Sequence, residues 1–150
     1  DLHARVWQVI EKYEVEGMAN ATLEEGAREV TSALRQAGYP LAIVTNNSRA
    51  SAIEVLKKLD LMTPFQAILG REDVACLKPA PDGVLAAAAS MGRPQRVVVI
   101  GDAWLDGVAA HAAGALFVAV GSFRQGPIAC PVWAQIESLL DLLIVDWELI

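Results

Sequence analysis

An uninterrupted apolar run places the strongest constraint on how this chain can fold. The run Val97-Val98-Val99-Ile100 is followed directly by Gly101 and Asp102. Consecutive β-branched residues that end at a glycine are typical of a buried strand. In an open parallel α/β sheet, ligands bind at the carboxyl ends of the strands, so the residues after Ile100 are candidates for a functional site.

The rest of the chain alternates between short apolar runs and longer amphipathic segments. Such alternation indicates βαβ units, a parallel sheet and right-handed crossovers. Thr22-Leu23-Glu24-Glu25 has the spacing of a capping box and predicts that a helix begins there. We predict strands at 41–45, 66–69, 96–100 and 116–120, and helices at 2–16, 22–38, 48–59, 81–92, 104–114 and about 132–143.

Composition excludes several classes of protein. The length of 150 residues fits one domain with a sizeable core, and a hydrophobic content of 54% argues against a disordered chain. The net charge of −6 argues against nucleic acid or an anionic membrane surface as a partner. No apolar stretch is long enough to span a membrane, and no signal peptide is recognisable. With only two cysteines, Cys76 and Cys130, we expect a reducing, cytoplasmic environment.

Two carboxylates four positions apart follow the strand at 96–100. Asp102 lies at the predicted strand end, and Asp106 lies about one turn into the next helix. Paired oxygen ligands at such a position suit a hard cation such as Mg²⁺. The alternative is that Asp102 caps the helix while Asp106 is solvated.

Two further loops carry groups that suit an anion. Thr45 and Asn46 precede a predicted helix N-terminus, where a hydroxyl and backbone N–H groups can bind a phosphate. Lys78 lies in the proline-stiffened loop Leu77-Lys78-Pro79-Ala80-Pro81-Asp82, where it could neutralise a phosphate as a point charge. Each loop taken alone has a simpler alternative. The polar residues at Thr45 and Asn46 would only form a turn, and Lys78 would be a solvated side chain.

In this order, the three segments resemble the haloacid dehalogenase-like (HAD) hydrolase superfamily, close to members of the phosphoglycolate-phosphatase type. The resemblance implies a three-layer Rossmann-like α/β fold, with residues 1–21 as a helical remnant of a cap and residues 22–150 as the core. The quoted motifs are Leu41-Ala42-Ile43-Val44-Thr45-Asn46, Leu77-Lys78-Pro79-Ala80-Pro81-Asp82 and Ile100-Gly101-Asp102-Ala103-Trp104-Leu105-Asp106.

The resemblance also implies roles for individual residues. Thr45 and the backbone of Asn46 would bind the phosphoryl group of a small phosphorylated molecule, and Lys78 would stabilise its charge. Asp102 would bind Mg²⁺ with the support of Asp106, so that Lys78 and Asp106 would be the catalytic residues of this chain. The implied reaction is hydrolysis of a phosphomonoester through an aspartyl-phosphate.

The superfamily's first motif, Asp-x-Asp at the end of a strand, does not occur in this sequence. In the family, that strand is central and lies between the strands that end at Thr45 and Asp102. We therefore expect two half-sheets with facing unpaired edges, little or no turnover, and weak Mg²⁺ affinity.

Three interpretations stay open at this point. In the first, the chain is a fragment of a phosphatase. In the second, it is a non-catalytic phosphate- or metal-binding remnant or a regulatory module. In the third, another strand fills the gap, either from a homodimer or strand-swapped partner or from the strand-like 142–148 segment, which would make Asp146 catalytic.

Overall fold

The computed structural model describes residues 5, 6, 10, 13, 14, 17 and 19–145. From residue 27 to residue 120, helices and parallel strands alternate as the sequence predicts. The helices are α1 (Ala27–Gln36), α2 (Arg49–Lys58), α3 (Asp82–Ser90) and α4 (Trp104–Ala112). The strands are β1 (Leu41–Val44), β2 (Phe65–Leu69), β3 (Val98–Gly101), β4 (Leu116–Val120) and β5 (Ala134–Ile136), and short 3-10 helices cover Arg71–Asp73 and Leu139–Ile144.

The strands form two separate parallel sheets. β1 pairs with β2, with Val44 opposite Leu69. β4 pairs with β3 on one side and with β5 on the other, with Gly101 opposite Ala119. The expectation of two half-sheets is confirmed for the described residues, since neither β1 nor β3 has a second strand partner among them.

Strand β4 shows how the layers are built. Its side chains alternate between two faces, as the period of two requires. Phe117 and Ala119 pack against Ala110 of α4, whereas Val118 packs against Val30 of α1 and against Leu142. Helices therefore cover both faces of the sheet, which confirms the three-layer α/β fold.

The predicted start of the second helix is wrong. Helix α1 begins at Ala27 rather than at Thr22, and its N-cap is Gly26, which has a left-handed backbone with φ of 78°. The Gly26 backbone lies against Leu140, where a Cβ atom would come within 2.6 Å of Leu140 Cγ. The start of this helix is therefore set by packing against Leu140, more than 100 residues away in sequence, and not by the local capping pattern at Thr22.

The predicted helix at about 132–143 is also wrong. Residues 134–136 form β5, because β4 offers an open edge with which they pair in parallel. The 3-10 helix Leu139–Ile144 follows, with the Ser138 side chain accepting from the backbone N–H of Leu140. The first residues of the strand-like segment, 142–144, are thus in a 3-10 helix, while Asp146 lies outside the described residues.

The predicted cap remnant, residues 1–21, also falls mostly outside the described residues. Those that are described between 5 and 19 are helical, and the domain boundary near residue 21 stays a prediction. Within the described part of the chain, no helix is long and apolar enough to cross a membrane.

Candidate active site

Three loops meet at the carboxyl ends of β1 and β3, and Lys78 joins them. Its ammonium nitrogen, Nζ, donates to the carbonyl oxygen of Val44 at 3.1 Å and to Asp106 Oδ1 at 2.6 Å. Val44 ends β1, and Asp106 lies in the first turn of α4 directly after β3. One side chain therefore bridges the two half-sheets at the edge where parallel α/β folds bind ligands.

The Lys78–Asp106 ion pair is largely shielded from water. The side chain of Lys78 is 16% exposed and that of Asp106 is 12% exposed. Both carboxylate oxygens of Asp106 are engaged, since Oδ2 accepts from the backbone N–H of Ala103 at 3.2 Å. The alternative in which Asp102 caps the helix and Asp106 is solvated is therefore wrong: Ala103 is the N-cap, and Asp106 is buried.

Asn46 fixes the loop that carries the lysine. Its side-chain amide donates to the carbonyl oxygen of Lys78 at 3.0 Å, and its Oδ1 accepts from the Lys78 backbone N–H at 3.0 Å. The Asn46 side chain thus bonds both backbone groups of Lys78, as a neighbouring strand would. These two bonds fix the position of Lys78 relative to the end of β1. The sequence prediction gave Asn46 a phosphate-binding role through its backbone and missed this positioning role of its side chain.

Gly101 allows the Asp106 carboxylate to lie against the end of β3. A Cβ atom at Gly101 would come within 2.4 Å of Asp106 Oδ2 and 2.7 Å of its Cβ. Any larger side chain there would displace the carboxylate that holds Lys78. The glycine that ends the apolar run is thus required by the packing of the site.

Thr45 lies half-buried at the start of a turn that leads into helix α2. Its Oγ1 accepts from the backbone N–H of Asn47 at 3.1 Å, which leaves the hydroxyl hydrogen able to donate to a ligand. Ser48 caps α2 by accepting from the backbone N–H of Ser51 at 3.1 Å. The turn therefore lies at the positive end of a helix dipole, which favours an anion.

Asp102 is exposed in the loop between β3 and α4. In the part of the chain that the structure describes, no three acidic, histidine or cysteine side chains group closely enough to hold a metal ion. Mg²⁺ is commonly held by one or two carboxylates together with water and phosphate oxygens. Asp102 alone could supply such a ligand, but the described residues do not complete a metal site.

The loop after β2 packs against the Thr45 turn and contributes a second buried ion pair. The backbone N–H of Arg71 donates to the carbonyl oxygen of Asn47 at 2.9 Å. The Arg71 guanidinium pairs with Glu14, and both side chains are at least 86% buried. This pair ties the N-terminal segment to the candidate site, and the sequence analysis did not identify either residue.

Comparison with known proteins agrees with this geometry. The family model for haloacid dehalogenase-like hydrolases matches residues 1–114. The chain belongs to this family. It therefore has the fold expected from the three motifs, with Thr45 and Lys78 on loops and Asp106 in the first turn of α4, near the carboxyl ends of β1 and β3.

Among individual proteins, the chain is similar to phosphoglycolate phosphatases. The chain is 38% identical over 87 residues to phosphoglycolate phosphatase of Escherichia coli strain K12, which covers 57% of this chain and 34% of that protein. It is 31% identical over 143 residues to phosphoglycolate phosphatase of Rhodobacter capsulatus, covering 93% of this chain and 64% of that one. The chain thus spans about a third to two thirds of the length of these relatives.

Solved structures show the same likeness. A predicted phosphoglycolate phosphatase from Haemophilus somnus superposes with a TM-score of 0.78 at 25% identity, covering 89% of this chain and 61% of that one. A putative haloacid dehalogenase-like hydrolase from Bacteroides fragilis gives a TM-score of 0.76 at 29% identity, covering 83% and 61%. The HAD-like architecture is therefore shared, although each relative has additional chain outside the match.

Proposed function

We propose that this HAD chain carries the phosphate-binding part of a Mg²⁺-dependent phosphomonoester hydrolase that acts on a small phosphorylated metabolite. One observation carries the proposal: the Lys78 ammonium is held at the carboxyl end of the sheet, between Val44 and Asp106. This position is next to the Thr45 turn, at the edge of the sheet where parallel α/β folds bind ligands. The likeness to phosphoglycolate phosphatases supports the same class of substrate.

Charge neutralisation explains why these groups would serve phosphoryl transfer. That reaction depends mainly on positioning and on stabilising charge on the phosphoryl oxygens. An ammonium group has three N–H donors, and two from Lys78 are used by Val44 and Asp106, which leaves one for a phosphate oxygen. The Thr45 hydroxyl can donate to a second oxygen.

Asp106 fits a positioning role in this scheme. With both its oxygens on Lys78 and on the Ala103 backbone, it orients the lysine and has little capacity left for a metal. Asp102 is the carboxylate that would hold Mg²⁺. When bound, the ion would supply additional positive charge to the phosphate oxygens.

The covalent nucleophile is proposed to lie outside this sequence, because no Asp-x-Asp motif is present. The chain by itself would then bind phosphate but hydrolyse esters slowly or not at all, and its Mg²⁺ affinity would be weak. A non-catalytic phosphate-binding module is the second candidate function. It is favoured by the hydrogen bonds of Asp106, whose two carboxylate oxygens are already used by Lys78 and by the Ala103 backbone.

Phosphate binding tests the proposal directly. We would titrate the purified chain with inorganic phosphate and follow binding by calorimetry, with and without Mg²⁺. Hydrogen bonds to charged groups contribute about 1.5–3 kcal/mol, so Lys78→Met is expected to weaken phosphate binding at least about tenfold. The control Lys57→Met removes the same charge from the exposed face of α2 and should leave binding unchanged. Equal binding by the Lys78 variant would refute the proposed site.

A parallel assay of aryl phosphate hydrolysis separates the two candidate functions. Mg²⁺-dependent turnover that Asp102→Asn abolishes would mean that the described chain is catalytic without the missing motif, contrary to our expectation. Phosphate binding without turnover, in the chain and in any extended form of it that carries an upstream strand, would favour the non-catalytic module.

A further inference from the structure

A loop follows β4 at the same edge of the sheet as the candidate active site. β4 pairs with β3, with Ala119 opposite Gly101, and ends one residue later. Residues 121–133, which we call the β4 loop, therefore begin beside Asp102, the residue that follows Gly101. Arg124 is the only charged residue in the β4 loop. Neither the loop nor this arginine has a part in the phosphate site described above, so their position needs a separate explanation.

The β4 loop is packed against the first turns of helix α4. The backbone of Gly126 lies on the ring of Trp104, where a Cβ atom at Gly126 would come within 2.2 Å of Trp104 Cγ. The Sγ atom of Cys130 lies on Gly107, where a Cβ atom would come within 2.3 Å of it. The loop therefore folds over the helix that begins directly after Asp102, and not away from the site.

Both sequence neighbours of Arg124 are held in place. The ring of Phe123 packs edge-on against Phe117, with ring centroids 5.4 Å apart and ring planes at 63°. The side-chain amide of Gln125 donates to the carbonyl oxygen of Cys130 at 2.9 Å, and its Oε1 accepts from the Cys130 backbone N–H at 3.0 Å. The backbone of Arg124 is thus fixed from both sides, which lowers the entropic cost of any contact that its side chain makes with a ligand.

The guanidinium of Arg124 has no charged partner in the described part of the chain. Arg124 is exposed, and no carboxylate among the described residues lies within ion-pair distance of it. Arg49 and Arg71, in the loops near the Thr45 turn, are both paired with carboxylates. An arginine side chain is always charged and only donates hydrogen bonds, so Arg124 can take an anionic group of a ligand.

The balance of charge at this edge favours the same use. Lys78 and Asp106 form an ion pair, so their charges cancel. Asp102 then adds a negative charge, which disfavours an anionic ligand, and Arg124 offsets that charge from the β4 side. In the order of the strands, Lys78 lies on the other side of Asp102, between the ends of β1 and β3. A ligand with an anionic group at each end therefore matches this edge better than one with a phosphate alone.

We propose that Arg124 determines substrate specificity by binding a second anionic group of the ligand, at the end opposite the phosphate. The inference rests on the phosphate site proposed above and names its substrate class more narrowly. Because the guanidinium is planar, it can donate two parallel hydrogen bonds to a carboxylate. Phosphate esters whose remaining part is neutral or cationic lack this contact and bind more weakly.

Matched phosphonates measure this preference without any hydrolysis. Phosphonoacetate and phosphonopropionate carry a carboxylate on a shorter and a longer spacer. The corresponding alcohols, hydroxyethylphosphonate and hydroxypropylphosphonate, have a terminal CH₂OH group in its place. We would titrate the full chain with each compound by calorimetry at low ionic strength, with inorganic phosphate as the reference. In at least one pair, the carboxylate is expected to bind about five- to tenfold more tightly than its alcohol.

Variants of single arginines localise the effect. The ratio of the two affinities is the readout, because the loss of any positive charge weakens all anions to some extent. Arg124→Gln should abolish the preference for the carboxylate, and Arg124→Lys, which keeps the charge but not the planar fork, should give an intermediate ratio. The control Arg96→Gln removes the same charge from an exposed arginine before β3, at the opposite end of the sheet, and should keep the full preference.

The outcomes separate this inference from the proposed function. If inorganic phosphate binds but neither carboxylate is preferred, or if the preference survives Arg124→Gln, the role of Arg124 is wrong and the phosphate site stands. If Arg124→Gln weakens inorganic phosphate as much as the carboxylates, Arg124 acts on the phosphate, and the proposed second contact is wrong. If not even inorganic phosphate binds, the proposed function fails and this inference fails with it.

Discussion

Breaking the ion pair between Lys78 and Asp106 is expected to lower the free energy of unfolding substantially, because both side chains are largely buried. The two side chains are 16% and 12% exposed, and their charged atoms are 2.6 Å apart. Asp106→Asn keeps the shape and can still accept from the backbone N–H of Ala103. It removes the negative charge, however, and leaves the ammonium largely buried beside a neutral amide.

The expected magnitude follows from this burial. Removing one partner of a buried pair costs about 3–5 kcal/mol, and the remaining exposure places this pair at about 3 kcal/mol. Lys78→Met leaves the carboxylate unpaired and should cost about 2–3 kcal/mol for the same reason. In the double variant no charge is left unpaired, so its loss should be about 2 kcal/mol smaller than the sum of the two single losses.

Urea unfolding followed by tryptophan fluorescence and circular dichroism gives the four free energies of unfolding that this cycle needs. The matched cycle uses Glu54→Gln and Lys57→Met, which neutralise the same charges on the exposed face of α2. Its coupling should not exceed about 0.5 kcal/mol. If the losses for Lys78 and Asp106 also add within about 0.5 kcal/mol, the pair does not hold the two half-sheets together and our account of the site is wrong.

Three other predictions follow from the site and the core. Gly101→Ala would force the Asp106 carboxylate away from β3. We expect the free energy of unfolding in urea to fall by about 1–3 kcal/mol and phosphate binding to weaken as in Lys78→Met. Normal phosphate binding by this variant would contradict the close packing. Asn46→Ala removes both bonds to the Lys78 backbone and should cost about 1–3 kcal/mol, with faster exchange of the Lys78 amide; Asn46→Asp, which keeps an acceptor but loses the donor, should have an intermediate effect. Burial raises the pKa of the Cys130 thiol, whereas Cys76 is exposed. Because the thiolate is the nucleophile, iodoacetamide at pH 8 should label Cys76 first in the native chain, and labelling of Cys130 should begin only at higher pH, as mass spectrometry of peptides would show.

Much of this fold can be predicted from local patterns. The apolar run that ends at Gly101 forms strand β3 as predicted, although the expected full burial is wrong, since its residues are only partly buried and Ile100 is exposed. Ser48 caps α2 as its type and position suggest. The convergence of Thr45, Lys78 and Asp106 was also predictable, because the carboxyl ends of parallel strands meet at one edge of a sheet. These features depend on neighbours in sequence or on a general rule of topology.

The errors occur where distant contacts override a local pattern. The capping spacing at Thr22 is real, but Gly26 packs against Leu140, so the helix begins at Ala27. Residues 134–136 lie in a segment with helical periodicity, yet they form a strand because the open edge of β4 is available to them. Propensity in both cases is a weak preference compared with backbone pairing and burial.

By itself, then, the sequence determined the alternation of strands and helices, the family, and the residue types that could bind a phosphate. Only the tertiary structure decided that the Asn46 side chain holds the Lys78 loop and that both carboxylate oxygens of Asp106 accept hydrogen bonds. The physical reason is that residue types are set along the chain, whereas hydrogen-bond partners and unpaired edges are set by segments that are distant in sequence and meet only on folding.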